Sequence, residues 1–160
     1  MLKNQDYAQF VNLMLQDLKN EKKHMMFYLT ASATVSGLYR EEHREYFKKE
    51  AANEMQHVSE FHDALLGLDV DLVAATDLEF VPDFLASYDL KELLEFALNM
   101  EKEVVANYAH RISVDVNLLQ SPDKEWMEIF YEDQLVKSRE DVDNLKMILR
   151  SINNSWQVHT

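Results

Sequence analysis

Apolar residues recur at three- and four-residue steps over four long stretches, the signature of helices that bury one face. The first runs from about Gln5 to Val35 (5–35), where Phe10, Met14, Leu18, Met25, Tyr28 and Val35 step at close to 3.5 residues, with Glu21 and Ser32 in the same seam. A serine sits in such a seam by bonding back to its own helix, so Glu21 is the residue that needs a reason. The second stretch, about Arg40 to Leu66 (40–66), has the stripe Ala51, Met55, Val58, Phe61 and Leu65, with Glu54 and His57 set into it. The third, about Tyr88 to Leu118 (88–118), carries Leu94, Ala97, Val104 and Tyr108, and again a glutamate, Glu101. The fourth, 121–152, opens on Ser121 as N-cap, Pro122 as first helical residue and Asp123 in the first turn. Its stripe is Tyr131, Leu135, Ser138, Val142, Leu145 and Leu149, with Gln134 at the edge and Lys137 further round.

A break at Ser36-Gly37 folds the first two stretches into a hairpin, and the second pair forms another. Between the hairpins lies the one long irregular piece, 67–87, long enough to cross the length of a bundle and leave the middle helices parallel. The prediction is an all-α four-helix bundle of two antiparallel hairpins joined by a long crossover, one domain over 1–160. A chain of this length buries roughly 70% of its unfolded surface and needs no staples.

Composition narrows the chemistry. Two glycines and two prolines suit few, long helices. With no cysteine there are neither disulfides nor thiolate metal ligands. The first 30 residues lack the basic segment and apolar run of a secretion signal, so the cytoplasm is the expected location. No apolar run is long enough for a membrane span. The net charge of -13 argues against nucleic acid as a partner and favours cations.

The buried carboxylates follow a plan. Glu21 and Tyr28 are seven residues apart, as are Glu101 and Tyr108, so in each helix the tyrosine lies two turns along the face of its glutamate. Positions 21 and 54 are symmetric about the predicted turn, so antiparallel packing sets their carboxylates at one height. Buried like charges repel, and a cation relieves them. Glu54 and His57, three apart on one helix face, can share it.

With "NEKKHMMFY", "EMQH" and "MEKEVVANY" on three helices, the chain resembles the ferritin-like superfamily of di-iron carboxylate proteins, and within it bacterioferritins and bacterial ferritins. The resemblance spans about Gln9 to Leu149. It implies that Glu21, Glu54, His57 and Glu101 are metal ligands, with Glu54 and Glu101 bridging, and that Tyr28 is the redox-active tyrosine beside them. It also sets Gln134 at a fourth-helix ligand position, where bacterial ferritins often carry glutamine. Lys137 stands where bacterioferritins have a histidine, and an ammonium offers no lone pair to a metal. Either the register slips by a residue, or Lys137 reaches outward along its stem.

Other residues are weighed against plainer roles. His24 follows Glu21 by three and is expected at the edge of the seam, with ligation the alternative. Met55 matches the methionine that ligates haem between bacterioferritin subunits, though methionine also stands there in ferritins without haem. His62 and His110 are expected to find local partners, and Trp126 and Trp156 to pack. Asn53, Asp133, Val136 and Lys137 occupy the supplementary iron site of bacterial ferritins and would make a poor one.

Carboxylates with imidazole suit iron, with manganese as the alternative metal. The resemblance implies oxidation of Fe2+ by O2 or H2O2, with storage of the ferric product inside a homo-oligomer. Two alternatives remain: a rubrerythrin-like di-iron oxidase or peroxidase without mineral storage, and a ferritin fold whose metal site is degenerate.

Overall fold

The computed structural model describes residues 2–75 and 83–158. Helix α1 (Leu2–Thr34) turns back into α2 (Arg40–Gly67), and a one-turn α3 (Leu72–Ala75) follows. Then come α4 (Leu90–Ser113), a 3-10 turn at Asp115–Leu118, and α5 (Asp123–Val158). No strand occurs among the described residues. Residues 76–82 of the expected crossover lie outside them, as does the side chain of Trp156. No described helix is long and apolar enough to cross a membrane.

The predicted bundle of two hairpins is what forms, α1 packing along α2 and α4 along α5. The first turn sits at Ser36-Gly37, where Gly37 takes a left-handed φ of 113° that a side chain would strain. Arg40 reaches back to the carbonyls of Val35 and Ala33, satisfying the open end of α1. Asp89 caps α4 by accepting from the amide of Glu92, whose carboxylate accepts from Ser87.

Three boundaries differ from expectation. The third stretch breaks at Val114 into the 3-10 turn, and α5 continues past residue 152 to Val158. Helix α5 begins at Asp123, so Pro122 precedes it instead of being its first residue, and the Ser121 hydroxyl donates to the Glu125 carboxylate at 2.6 Å instead of accepting a helix amide as an N-cap does.

Cross-helix pairs fix direction. Tyr28 meets Glu101 and Tyr108 meets Glu21, so α1 and α4 run antiparallel. Since α1 and α2 are also antiparallel, α2 and α4 are parallel, as a long crossover requires.

The core is split along the bundle axis. One apolar cluster contains Phe10, Met14, Leu18, Phe61, Leu65 and Tyr131. The other contains Phe27, Phe47, Leu93, Leu94, Met100 and Leu145. Between these clusters in the chain order of every helix come the buried polar residues Glu21, His24, Glu54, His57, Glu101 and Gln134. The site is thus one polar layer closed above and below by hydrocarbon.

Candidate metal centre

Three helices deliver the carboxylates and imidazoles of the polar layer. From α2, Glu54 and His57 lie on one face, with His57 Nδ1 3.3 Å from Glu54 Oε2. From α1, Glu21 faces them, its Oε2 3.4 Å from the same imidazole nitrogen. One ligand atom from each of Glu21, Glu54 and His57 falls within 4.8 Å of the others, and the same holds for His24, Glu54 and Glu101. All five residues are buried, and Glu54 belongs to both groups. Four of them are the ligands the sequence reading named.

The fifth, His24, corrects that reading. It was expected at the edge, yet it is only 4% exposed, while Met25 is the residue at the rim. The seven residues from Glu21 to Tyr28 can be stepped as four then three, through Met25, or as three then four, through His24; both average 3.5 per turn, and the structure takes the second. Met55 undergoes the opposite change. It is 59% exposed, because the residue after Glu54 sits about 100° further round the helix. It takes no part in either group.

Two tyrosines hold the carboxylates from outside the layer. Tyr28 of α1 donates to Glu101 of α4 at 3.0 Å, and Tyr108 of α4 donates to Glu21 of α1. The two-turn spacing thus works across the bundle, each tyrosine serving the opposite helix's glutamate. Burial, then the carboxylate charges, raises both phenols well above their usual range, so they remain donors.

The electrostatics are those of a cation site. Burial, then the charges of neighbouring carboxylates, pushes Glu54 and Glu101 well above the ordinary carboxylate range. Burial acts on Glu21 too, but hydrogen bonding from Glu54 and His57 outweighs it and leaves Glu21 at about 2. For His57, burial is outweighed by Glu21 and its pKa ends raised. Burial depresses His24 to about 4, so this imidazole is neutral near pH 7 with a lone pair to offer. His24 Nδ1 and Gln134 Oε1 are buried without a hydrogen-bond partner. Clustered carboxylates, imidazoles and orphaned donor atoms fit a divalent metal better than they fit a packed core.

Helix α5 contributes differently. Gln134 is fully inside rather than at the edge; its amide donates to Glu60 Oε2 at 2.5 Å, and its buried Oε1 has no partner. Lys137 reaches outward, its ammonium 3.1 Å and 3.2 Å from the Glu60 oxygens and 3.0 Å from Asp133. That pairing with Asp133 also spoils the supplementary acidic site. Asp141, one turn beyond Lys137, lines with His57 a cavity of about 260 Å³ between α2 and α5. The sequence reading passed over Asp141, though it stands seven residues after Gln134 on the same face.

It also missed the buried ion network below the layer. Asp17 accepts two bonds from Arg111, at 2.9 and 3.0 Å, and one from Tyr131 at 2.7 Å, while Arg111 also binds Asp115. Asp17, four residues before Glu21, was hidden behind Leu18 in the seam. Two further expectations are met locally: Ser32 bonds back to Leu29, and His110 pairs with Asp115 at 2.9 Å.

Comparison with known proteins agrees with this geometry. The ferritin family profile, described as a ferritin-like domain, matches residues 11–154. A structure titled as a dodecameric thioferritin, the bacterioferritin-related protein of Bacteroides fragilis, superposes with a TM-score of 0.77 at 16% identity, covering 95% of this chain and 90% of its own. A ferritin-like di-iron carboxylate protein of Bacillus anthracis str. Ames gives 0.70 at 22% identity, covering 90% and 97%. BfrA of Mycobacterium tuberculosis gives 0.75 at 18%, covering 91% and 86%. No curated protein matches the chain. A buried carboxylate and imidazole layer inside a bundle with this crossover, together with a profile spanning nearly the whole sequence, places the chain in the ferritin family.

Proposed function

We propose that this protein binds Fe2+ inside the bundle and oxidises it to Fe3+ with O2 or H2O2 as electron acceptor. The observation that carries the reading is the pair of ligand groups joined by Glu54. Two ferrous ions held side by side each give up one electron, and together they reduce H2O2 with two protons to water, or O2 with two protons to H2O2. Glu21, Glu54 and His57 hold one ion, and Glu54 and Glu101 reach the second. Mn2+ fits the same oxygen-rich donors and competes for them.

The chain's own residues shape the reaction. The two hydrocarbon clusters keep bulk water off the layer, Tyr28 and Tyr108 fix the carboxylates of Glu101 and Glu21, and Tyr28 serves as the redox partner. The cavity lined by His57 and Asp141 offers Fe2+ and the oxidant a way in. Storage of the ferric product inside a closed homo-oligomer, in the cytoplasm, completes the reading; the fold shared with the dodecameric thioferritin supports a shell.

The test is a titration of Fe2+ with O2 or H2O2, following absorbance and particle size together. Rapid oxidation with a growing mineral in a shell-sized particle is expected. Oxidation that stops at two ions per chain would replace storage by a rubrerythrin-like oxidase or peroxidase. Failure to oxidise or bind iron would leave a structural bundle.

A further inference from the structure

The fourth helix lacks what the resemblance would have it bring. Gln134 and Lys137 stand at its two ligand positions, and both commit nitrogen donors to Glu60 on the α2–α5 face. Among the described residues, the second ion would then be left with two carboxylates and no imidazole, unless another helix provides one.

Helix α1 provides it. His24 follows Glu21 by three residues, as His57 follows Glu54, so each helix of the first hairpin presents a carboxylate and an imidazole on one face. The His24 ring is buried, and one of its ligand atoms lies within 4.8 Å of those of Glu54 and Glu101. Its Nδ1 has no hydrogen-bond partner. A core histidine kept for packing normally satisfies its polar atoms, because leaving one buried without a partner costs its desolvation. The ring that carries this orphan stands beside two carboxylates that also need a cation.

We propose that His24 is the imidazole ligand of the second metal position, with Glu54 and Glu101, so that both imidazoles of the centre come from the α1–α2 hairpin and none from α5. The inference rests on the two-ion reading above and names the donor which that reading leaves open. One consequence concerns access. With its nitrogen ligands drawn from α1 and α2, the centre leaves the α5 side free, and the cavity there, lined by Asn53, Gln56, His57, Lys137, Glu140 and Asp141, is open to the reactants.

Anaerobic titration of the full chain with Co2+, read by calorimetry and by the visible absorbance of the bound ion, tests this. The native protein is expected to bind two ions per chain, one for each ligand group. His24→Ala keeps the first and binds the second at least about tenfold more weakly, the least that even an outer partner of a ligand is worth. Added imidazole restores the second ion in His24→Ala, an effect no packing role would give. His24→Leu, which refills the volume with apolar atoms, shows the same loss with an intact helical melt, so that misfolding of the alanine variant would not hide the result. Two ions bound with native affinity by both variants would overturn the assignment and leave the oxidation reading standing. Loss of the second ion in Gln134→Ala but not in the His24 variants would move the ligand to α5 and overturn it equally. A native chain that binds fewer than two ions would overturn this inference and the two-ion reading together.

Discussion

Tyr28 and Tyr108 exchange partners across the bundle, each donating to the glutamate of the other's helix. A carboxylate so held points one oxygen at the phenol and leaves the other for a metal, which makes the tyrosines positioning residues for the ligand set. Tyr28→Phe and Tyr108→Phe keep the ring and remove only the donor. Each is expected to slow Fe2+ oxidation about tenfold to a hundredfold, the range found for outer partners of metal ligands, while Fe2+ binding persists. Stopped-flow absorbance under O2 measures it. Native rates in both variants would mean that the carboxylates hold their orientation without the phenols. Glu54 is more exposed to loss, because it alone belongs to both ligand groups. Glu54→Ala should therefore abolish oxidation while the helical circular dichroism stays native, and retained oxidation would remove the site from this layer.

At the scale of elements, α1 and α4 are tied by the charge network below the metal layer. Arg111 spans from Asp17 on α1 to Asp115 in the 3-10 turn, and Tyr131 of α5 completes the shell around Asp17. Removing Arg111 strands Asp17 in an apolar cluster. Arg111→Met is expected to lower stability by about 3–5 kcal/mol, the cost of leaving one partner of a buried ion pair uncompensated. Urea denaturation reads the loss, and Asp17→Asn on the same background should recover part of it. A second constraint sits at the end of α2, where a Cβ on Gly67 would collide with the Trp126 ring. Gly67→Ala should cost about 1–3 kcal/mol through forced displacement of that ring, and Trp126→Leu should relieve it, as thermal melts of the single and double variants would report. These elements also mark where the sequence was legible. The four amphipathic stretches, the turn at Gly37 and the inward places of Glu21, Glu54, His57 and Glu101 could all be read from spacing and likeness, because each rests on a local helical period. What could not be read is rotation about a helix axis by less than one residue. That uncertainty placed Met25 inward instead of His24 and left Gln134 at an edge it does not occupy. Asp17 and Arg111 escaped for another reason: their burial depends on a partner 94 positions away in the chain, which periodicity does not report.

Across the whole molecule, an acidic chain of net charge -13 folds around acid groups, several of which burial makes harder to ionise. Glu50 is raised to about 7, by burial first and then by the charge of Asp141. Asp141 is raised to about 6, again by burial first, with Glu21 adding to it. Glu54 and Glu101 shift the same way. Between the usual carboxylate range and these raised values the folded protein holds more protons than the unfolded chain. Their contribution is fully present below the unfolded pKa values and is lost as pH rises through the folded ones. His24, held neutral down to about 4, pulls the other way as pH falls below the normal histidine range, as do the more exposed His43 and His62, while the raised His57 and Asp17 side with the four carboxylates. Metal-free protein is therefore expected to melt several degrees higher at about pH 5 than at about pH 8. A divalent ion inverts the trend, because it displaces those protons and binds best where few remain to be released. Mn2+, which does not oxidise readily under these conditions, should raise the melting temperature more at about pH 8 than at about pH 5. Calorimetric scans at both pH values, with and without Mn2+, decide the matter. A melting temperature that rises with pH in the metal-free state would mean that the layer is already ionised without its cation, and that charge relief is not what draws the metal in.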